Sequence, residues 1–266
     1  MSIKKVAILG GGNIGMAIAE GLVRSGAFKP EFIAITRLKS QPLHDIRKKG
    51  YRATYNNVEA IRQADVIFMA VQPRQYEDLL KEIKGHVTKK QTLVSVISAI
   101  TISQIESIIG KGYVIVRMMP NTAISVCESM TCLATNQTNS SQFKKLELLL
   151  QKLGKTLLID EKMMAAATVL GACGIAFFLR MIRAASQGGI QVGFHADQAQ
   201  FIAAQTARGA VALLSRPGAH PEDEIDKVTT PLGVTIKGLN EMEHQGLSSA
   251  IIKGIVHSYN EFDKLT

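Results

Sequence analysis

Apolar residues in the first part of the chain form short runs separated by amphipathic segments. The runs lie at positions 4–9, 32–35, 66–71, 92–97 and 113–116. Their length and β-branched content predict buried strands. Between them, apolar residues recur at helical spacing, which predicts helices near positions 16–23, 75–83 and 102–109. Strands that alternate with helices are typical of an α/β fold with a parallel, doubly wound sheet.

The pattern changes near Asp160. Beyond it, apolar stretches rich in Ala, Gly and Met continue without a strand pattern, and turns are predicted around Pro217 and Pro231. We therefore predict an α/β domain at 1–160 and an all-helical domain at 161–266. The uncharged run Met163 to Leu179 is shorter than the roughly 20 residues that cross a membrane, and we expect a buried interface helix there.

Composition excludes several classes of protein. With 266 residues, 46% of them hydrophobic and 20% charged, the chain has enough apolar material for a packed core, so disorder is excluded as its main state. Its three cysteines, Cys127, Cys132 and Cys173, are widely spaced and form no CxxC pattern, so neither a disulfide scaffold nor a metal site is expected. The N-terminus has no signal-peptide pattern, which favours a cytoplasmic location.

The net charge of +9 is unevenly distributed. Residues 1–160 contain 22 Lys and Arg against 12 Asp and Glu, and the remainder contains 9 against 10. No run of five basic residues occurs and tryptophan is absent, so nucleic-acid binding is not expected. The densest basic cluster comprises Arg37, Lys39, Arg47, Lys48, Lys49 and Arg52. Arg47 to Lys49 fit a solvated helix face, and we expect the remaining excess charge to serve an anionic ligand of the first domain.

A glycine-rich turn follows the first predicted strand and precedes the first predicted helix. Gly10, Gly12 and Gly15 fit the pattern GxGxxG within Gly10 to Gly15. In such a turn the first glycine permits the bend, the second lets the backbone approach a pyrophosphate, and the third lets helix and strand pack closely. The helix N-terminus then offers free N–H groups to the phosphates. The turn predicts a Rossmann domain that binds a dinucleotide; a plain connection is the alternative.

The end of the second strand bears on the choice of cofactor. An acidic residue there would bind a ribose 2′-hydroxyl, but the sequence is Thr36-Arg37-Leu38-Lys39. A guanidinium suits a phosphate, so Arg37 favours NADPH over NADH. If Arg37 instead stacks on the adenine or lies in solvent, both cofactors would be accepted.

Three further segments together resemble the pyrroline-5-carboxylate reductase family. They are Ala70-Val71-Gln72-Pro73, Val116 to Thr122 with the sequence VRMMPNT, and Val228 to Thr235 with the sequence VTTPLGVT. The family carries an AVKPQ-like turn, an RxMPNTP turn and a VTSPGGTT segment in the same order, and the resemblance runs from end to end of the chain.

The resemblance implies a Rossmann domain joined to a helical dimerisation domain, and NAD(P)H-dependent reduction of 1-pyrroline-5-carboxylate to L-proline. It also implies assembly through dimers into larger rings. Asn57 matches an asparagine near the adenosine ribose and its phosphate. Together with the glycine turn and the second strand, the predicted cofactor-binding residues are Gly10, Gly12, Asn13, Ile14, Gly15, Thr36, Arg37, Asn57, Ala70, Val71, Gln72, Pro73, Met119 and Pro120.

The resemblance also implies a substrate site. Thr235 is the candidate catalytic residue, donating a hydrogen bond to the imine nitrogen, and the backbone N–H groups of Gly233, Val234 and Thr235 are candidates for the substrate carboxylate. Asn121 belongs to the turn near the nicotinamide and is a further candidate for substrate binding. An ordinary helix N-cap is the alternative role of Thr235.

The chain departs from the family pattern at four positions. Leu232 replaces a glycine, Val234 a threonine, Cys173 a serine and Ile175 a proline. Leucine restricts the backbone and valine removes a hydroxyl. Cys173 fits an inert packing residue better than a reactive thiol.

Two alternative functions are compatible with this domain plan. A β-hydroxyacid dehydrogenase needs a lysine in the middle of a long helix, and Lys162, Lys227 and Lys237 do not fit that setting. A non-catalytic NADP(H)-binding regulatory paralogue is the other alternative, supported by Leu232 and Val234. The expected partners are a small imino acid and further copies of this chain, with no nucleic acid and no membrane.

Overall fold

A computed structural model of the protein describes residues 3–38 and 43–263, so Lys39 lies outside the described residues. Each of the five apolar runs that the sequence predicts to be a strand forms one, and three further strands, at 52–54, 129–135 and 154–158, are not predicted. In chain order the strands are β1 (Val6–Leu9), β2 (Ile33–Thr36), β3 (Arg52–Thr54), β4 (Val66–Met69), β5 (Thr92–Ser95), β6 (Val114–Met119), β7 (Ser129–Thr135) and β8 (Gly154–Leu158).

The strands form one sheet in the order β3-β2-β1-β4-β5-β6-β7-β8. Strands β1 to β6 are parallel, with Val6 of β1 aligned to Ile33 of β2 and to Val66 of β4. The doubly wound prediction is therefore confirmed, but the sheet is not wholly parallel, because β7 runs antiparallel to β6. Residues 120–128 are too few for a crossover helix, so the chain turns back on itself after β6.

Helices cover both faces of the sheet. In this part of the chain they are α1 (Asn13–Arg24), α2 (His44–Lys48), α3 (Asn57–Ile61), α4 (Tyr76–Ile83), α5 (Ile102–Ile109), α6 (Ser141–Leu150) and α7 (Met164–Ala167). Successive residues of a strand point to opposite faces. Ile8 and Phe68 accordingly join the core cluster under α1 and α6, whereas Leu9 and Met69 join the cluster under α3, α4 and α5.

Contacts divide the chain into two compact units. The first holds the residues up to Cys173 and those from Tyr259 onward, and the second holds Gly174 to Ser258. The boundary at 160 and 161 stays a prediction. By contact, residues 161–173 group with the sheet, and they include a π-helical turn at Thr168–Cys173.

The second unit is helical, as the sequence predicts. Its helices are α8 (Gly174–Gln191), α9 (Ala196–Leu214), α10 (Pro221–Asp226), α11 (Val234–His244) and α12 (Leu247–Asp263), the last of which ends in the first unit. Helices α8 and α9 pack against each other and border an open apolar groove lined by residues that include Met181, Phe194 and Ile202.

Many apolar side chains of the helical part are exposed. They include Leu170, Phe178, Leu179, Val192, Phe201 and Val211. The stretch Glu161–Gln191 is long and apolar enough to cross a membrane by length and composition, and only 17% of its most apolar window is buried. The expected helix at Met163 to Leu179 is therefore present, but this chain alone does not bury it.

Candidate functional site

Steric contacts explain two of the three motif glycines in the turn between β1 and α1. Gly10 has φ +109°, and a Cβ on it would lie 2.5 Å from the carbonyl oxygen of Ala70, which follows β4. A Cβ on Gly15 would lie 2.0 Å from the carbonyl oxygen of Gly10. Gly12 differs, because a Cβ there would meet no protein atom within 4 Å. The protein itself thus requires Gly10 and Gly15, whereas Gly12 leaves open space where a phosphate can approach.

A hydrogen-bonded chain of side chains connects this turn to α3 and α4. The Gly10 N–H donates to Thr36 Oγ1 at 3.3 Å, and Thr36 Oγ1 donates to Asn57 Oδ1 at 2.7 Å. Asn57 Nδ2 then donates to Glu82 Oε2 at 2.8 Å. Thr36 is the last residue of β2 and Asn57 is the first of α3, so these bonds fix two predicted cofactor residues against the glycine turn.

Arg37 also contacts the turn. Its Nε donates to the carbonyl oxygen of Gly11 at 2.9 Å, and the Gly11 N–H donates to the Thr36 carbonyl oxygen at 2.7 Å. The guanidinium of Arg37 therefore lies against the glycine turn at the end of β2, partly buried rather than free in solvent. No acidic side chain occupies this strand end among positions 36–38, as the sequence shows.

These residues surround one open cavity of about 280 Å³ at the carboxyl edge of the sheet. Its floor is the glycine turn after β1, and its walls come from the ends of β2 and β4, the two neighbours of β1. Ligands of open α/β sheets bind at this edge. The described lining residues are Gly10, Gly11, Gly12, Thr36, Arg37, Leu38, Asn57, Ala70, Val71, Gln72, Arg74 and Gln75.

The structure thus brings together Gly10, Gly12, Thr36, Arg37, Asn57, Ala70, Val71 and Gln72 of the predicted cofactor set. Asn13, Ile14 and Gly15 form the first turn of α1, and Pro73 begins the 3-10 turn Pro73–Gln75. Arg74 and Gln75 also line the cavity but are not in the cofactor set predicted from the sequence. Their position directly after the Ala70 to Pro73 turn was the available signal.

Met119 and Pro120 lie elsewhere on the same edge, at the end of β6. Met119 is buried and packs in a small cluster with Ala134 and Met164. Neither Met119 nor Pro120 is among the described residues that line the cavity, so their cofactor role stays a prediction.

Asn121 makes several hydrogen bonds within the protein. Its Oδ1 accepts from the Ala123 N–H at 3.0 Å, which caps the 3-10 turn Thr122–Val126. Its Nδ2 donates to the Gly171 carbonyl oxygen at 3.1 Å, and its own N–H donates to Ser129 Oγ at 3.2 Å. Asn121 therefore holds the π-helical turn against the end of β6, and its contact with substrate stays a prediction.

The segment Gly233 to Thr235 lies in the second unit, at the start of α11. Gly233 is the N-cap, so Thr235 is the second helical residue and does not have the alternative role of an N-cap. The Gly233 N–H donates to the Thr230 carbonyl oxygen at 2.9 Å. The role of the Gly233 N–H toward a substrate carboxylate stays a prediction; the first-turn N–H groups of Val234 and Thr235 have no capping side chain to engage them, because the cap is a glycine.

Leu232 adopts the left-handed conformation that glycine favours. Its φ is +61°, and its side chain is 89% exposed. The leucine thus holds a backbone conformation that is unfavourable for it and that a glycine adopts freely. Val234 is also exposed, which places an apolar side chain beside Thr235 at the helix start.

Two further non-glycine residues have positive φ, Ala99 at +67° and Cys127 at +63°. Both follow strands at the carboxyl edge of the sheet, Ala99 after β5 and Cys127 after the turn that follows β6. Such backbone strain is frequent around functional sites. Cys173 ends the π-helical turn, and burial raises the pKa of its thiol above the ordinary value of 9.0, which fits the packing role.

The basic residues of the first unit are divided between two edges of the sheet. Lys4, Lys29, Lys89, Lys145 and Lys152 line surface cavities beside the amino-terminal strand ends, opposite the glycine turn. The expectation that the excess charge gathers around a dinucleotide is therefore wrong for these lysines. The Arg47 to Lys49 segment is exposed, as expected, and Lys49 pairs with Glu20 at 2.7 Å. Within residues 3–38 and 43–263, no group of three metal-ligating side chains occurs.

Comparisons with known proteins extend over the whole chain. A family model described as pyrroline-5-carboxylate reductase dimerisation matches residues 161–265, and one described as coenzyme F420-dependent NADP oxidoreductase matches residues 5–99. Pyrroline-5-carboxylate reductase 2 of Dictyostelium discoideum is 43% identical, covering 98% of this chain and 93% of that protein.

Pyrroline-5-carboxylate reductase 1 of the same organism is 48% identical over 95% of this chain, which spans about half (48%) of its length. Among solved structures, Plasmodium falciparum pyrroline carboxylate reductase with NADP bound superposes with a TM-score of 0.88 at 24% identity, covering 98% of both chains.

Proposed function

This chain belongs to the pyrroline-5-carboxylate reductase family, and from that premise we propose that it reduces 1-pyrroline-5-carboxylate to L-proline with NADPH. The observation that carries the proposal is the cavity at the carboxyl edge of the sheet. It combines the glycine turn, the Thr36 and Asn57 pair and Arg37 around one open volume. The β-hydroxyacid dehydrogenase and the regulatory paralogue are not favoured over this function.

The residues of the cavity fit a phosphorylated dinucleotide. The open space at Gly12 and the first-turn N–H groups of α1 suit the pyrophosphate. Arg37 at the end of β2 suits a 2′-phosphate, and no carboxylate stands beside it in positions 36–38 to repel one. NADPH supplies the hydride when it is bound here.

The remaining work of the protein is to hold and orient the imine and to exclude water. A protonated cyclic imine is a good hydride acceptor, so no strong acid is needed; correct placement of the ring matters more. In this proposal the Thr235 hydroxyl donates a hydrogen bond to the ring nitrogen. The first-turn N–H groups of Val234 and Thr235 bind the substrate carboxylate, and Asn121 contributes from the turn after β6.

The match to the dimerisation model supports self-association of the chain. We extend this to a ring assembled from dimers, located in the cytoplasm and binding neither nucleic acid nor membrane. The exposed apolar side chains of the helical part, such as Leu179 and Phe201, supply the surface for contact between copies.

The test is a spectrophotometric assay of NADPH oxidation with 1-pyrroline-5-carboxylate, with L-proline measured as product. Tight NADPH binding without turnover would refute the enzymatic proposal and favour the regulatory alternative.

Three variants test Thr235 in the same assay. Thr235→Val keeps the side-chain shape and Thr235→Ser keeps the hydroxyl, whereas Thr235→Ala removes both. We expect kcat/KM to fall by about 100-fold in Thr235→Val and Thr235→Ala and by less than about 10-fold in Thr235→Ser. Unchanged kcat/KM in Thr235→Val would remove Thr235 from the mechanism.

A further inference from the structure

Arg74 lines the cofactor cavity from the side opposite Arg37. It follows β4, whereas Arg37 follows β2, and β1 with its glycine turn lies between these two strands in the sheet. Its guanidinium is exposed and makes no hydrogen bond or ion pair within residues 3–38 and 43–263. The cationic side chain of Arg74 is therefore exposed at the cavity and available to bind a ligand.

The backbone that carries Arg74 is held firmly. The Gln72 N–H donates to Gln75 Oε1 at 3.1 Å, and the Gln75 N–H donates to the Gln72 carbonyl oxygen at 2.9 Å. Pro73 fixes its own φ at the first position of the turn. Only the side chain of Arg74 has to move to meet a ligand, so the backbone loses little conformational entropy on binding.

The charges of the cavity are of one sign. Among its described lining residues the ionisable side chains are Arg37 and Arg74, and the others are glycines, apolar residues or neutral amides and hydroxyls. A concave cleft lined by charge of one sign attracts an oppositely charged ligand. Glu82, the nearby carboxylate that bonds Asn57, does not line the cavity.

The phosphates of NADPH place different demands on these groups. The pyrophosphate already has the open space at Gly12 and the first-turn N–H groups of α1. The 2′-phosphate is a dianion at neutral pH, and the Nε of Arg37 is engaged by the Gly11 carbonyl oxygen. A second guanidinium would supply further N–H donors and balance the second negative charge.

We propose that Arg74 is a second binding residue for the adenosine 2′-phosphate and that, together with Arg37, it determines the preference of this chain for NADPH over NADH. The inference rests on the proposed function only in that the cavity holds the dinucleotide. Arg74 and Arg37 grip the phosphate from the strand ends on either side of β1.

The test compares dissociation constants of NADPH and NADH by calorimetry for the full chain and three variants. Arg74→Ala removes the charge, Arg74→Lys keeps it without the planar fork, and Arg62→Ala removes another exposed arginine, one that is not among the described residues that line the cavity. We expect Arg74→Ala to weaken NADPH about 10-fold and NADH less than 2-fold. Arg74→Lys should lie in between, and Arg62→Ala should leave both constants unchanged.

Binding of two adenosine nucleotides, one with and one without a 2′-phosphate, tests which phosphate Arg74 contacts. Adenosine 2′,5′-bisphosphate should lose affinity in Arg74→Ala, whereas adenosine 5′-monophosphate should not. Equal weakening of NADPH and NADH, or no weakening of either, would overturn the assignment. Because binding needs no turnover, a wild-type protein that binds NADPH but does not reduce the imine would refute the proposed reaction while leaving the role of Arg74 intact.

Discussion

The guanidinium of Arg117 donates to Glu161 at 3.1 Å between Nη1 and Oε1, which joins a buried strand to the segment that follows the sheet. The Arg117 side chain is only 7% exposed on β6, and Glu161 is 32% exposed. The same Glu161 oxygen accepts the Ile102 N–H at 2.7 Å, at the start of α5. One carboxylate therefore ties together β6, α5 and the segment leading to the π-helical turn.

Removal of Glu161 leaves a buried cation without its partner. We expect Glu161→Ala to lower the free energy of unfolding by about 2–3 kcal/mol, less than for a fully buried pair because Glu161 is partly solvated. Urea unfolding followed by circular dichroism measures the change. The matched control is Glu77→Gln, which breaks the exposed pair with Lys81 and should cost about 0.5 kcal/mol or less. Equal losses in the two variants would contradict the role of Glu161.

Replacement by alanine should have different effects at Gly15 and at Gly12. Gly15→Ala places a Cβ against the Gly10 carbonyl oxygen and should destabilise the fold by about 3 kcal/mol. Gly12→Ala meets no protein atom and should change stability by less than about 1 kcal/mol, yet weaken NADPH binding at least about 10-fold. Thermal unfolding and NADPH titration of the two variants check this contrast. Normal NADPH affinity in Gly12→Ala would show that the pyrophosphate lies elsewhere.

Thr36 should act through its hydroxyl. Thr36→Val keeps the shape but leaves the Gly10 N–H and the Asn57 Oδ1 without their partner. We expect the dissociation constant of NADPH to rise about 10-fold and the free energy of unfolding to fall by about 1–2 kcal/mol. Thr36→Ser keeps both bonds and should restore most of the affinity, measured by NADPH titration. If Thr36→Ser behaves like Thr36→Val, the methyl group rather than the hydroxyl is the determinant.

Because Leu232 has a left-handed φ in the turn before α11, we expect its replacement by glycine to leave the stability of the protein unchanged. Leu232→Gly relieves a left-handed φ that costs a leucine about 1 kcal/mol, and this offsets the greater freedom of glycine in the unfolded chain. Stability should therefore not fall, whereas Leu232→Ile should lose about 1 kcal/mol because its side chain is β-branched. Leu148→Gly, at an exposed position inside α6, is the control and should cost about 1 kcal/mol. Unfolding midpoints decide between these outcomes.

Cys132 and Cys173 should react slowly with alkylating agents. Burial raises the pKa of both thiols above 9.0, so the reactive thiolate is scarcer at pH 8 than in an ordinary thiol. Because the folded state holds these protons more tightly, the stabilisation is present below pH 9 and is lost as the pH rises through the folded-state values. Mass spectrometry after iodoacetamide treatment, native against urea-unfolded, measures the difference. Equal rates in the two states would contradict the assigned burial.

The sequence predicts most of the parallel sheet because its strands are compact apolar runs. It does not indicate β3, β7 or β8. The strand β3 is three residues long and carries Arg52, and the buried face of β7 includes Ser129 and Thr131. The strand β8 has no buried residue, so none of the three stands out by hydropathy. The reversal after β6 likewise depends on a connection length rather than on a hydrophobic pattern.

In the candidate site, too, the sequence predicts the residues that have a local signal and not those that depend on tertiary structure. The glycine turn, Thr36 and Arg37 are predicted because each has a local signal beside a strand end. Arg74 has only one local signal, its position directly after the Ala70 to Pro73 turn. Residues 37 and 74 come to one cavity only because β2, β1 and β4 lie side by side. The engagement of the Gly233 N–H by Thr230 depends on turn geometry, which the sequence alone does not specify.

The close approach of Gly10 to Ala70 also determines when the cavity can form during synthesis of the chain. The Ala70 N–H donates to the Leu9 carbonyl oxygen at 2.8 Å, so the floor of the cavity joins segments about sixty residues apart. Contacts of such separation form later than local helices. During synthesis α1 can form soon after it leaves the ribosome, but the glycine turn acquires its working shape only once β4 has emerged and docked. A nascent chain that ends before β4 carries the complete motif without a site.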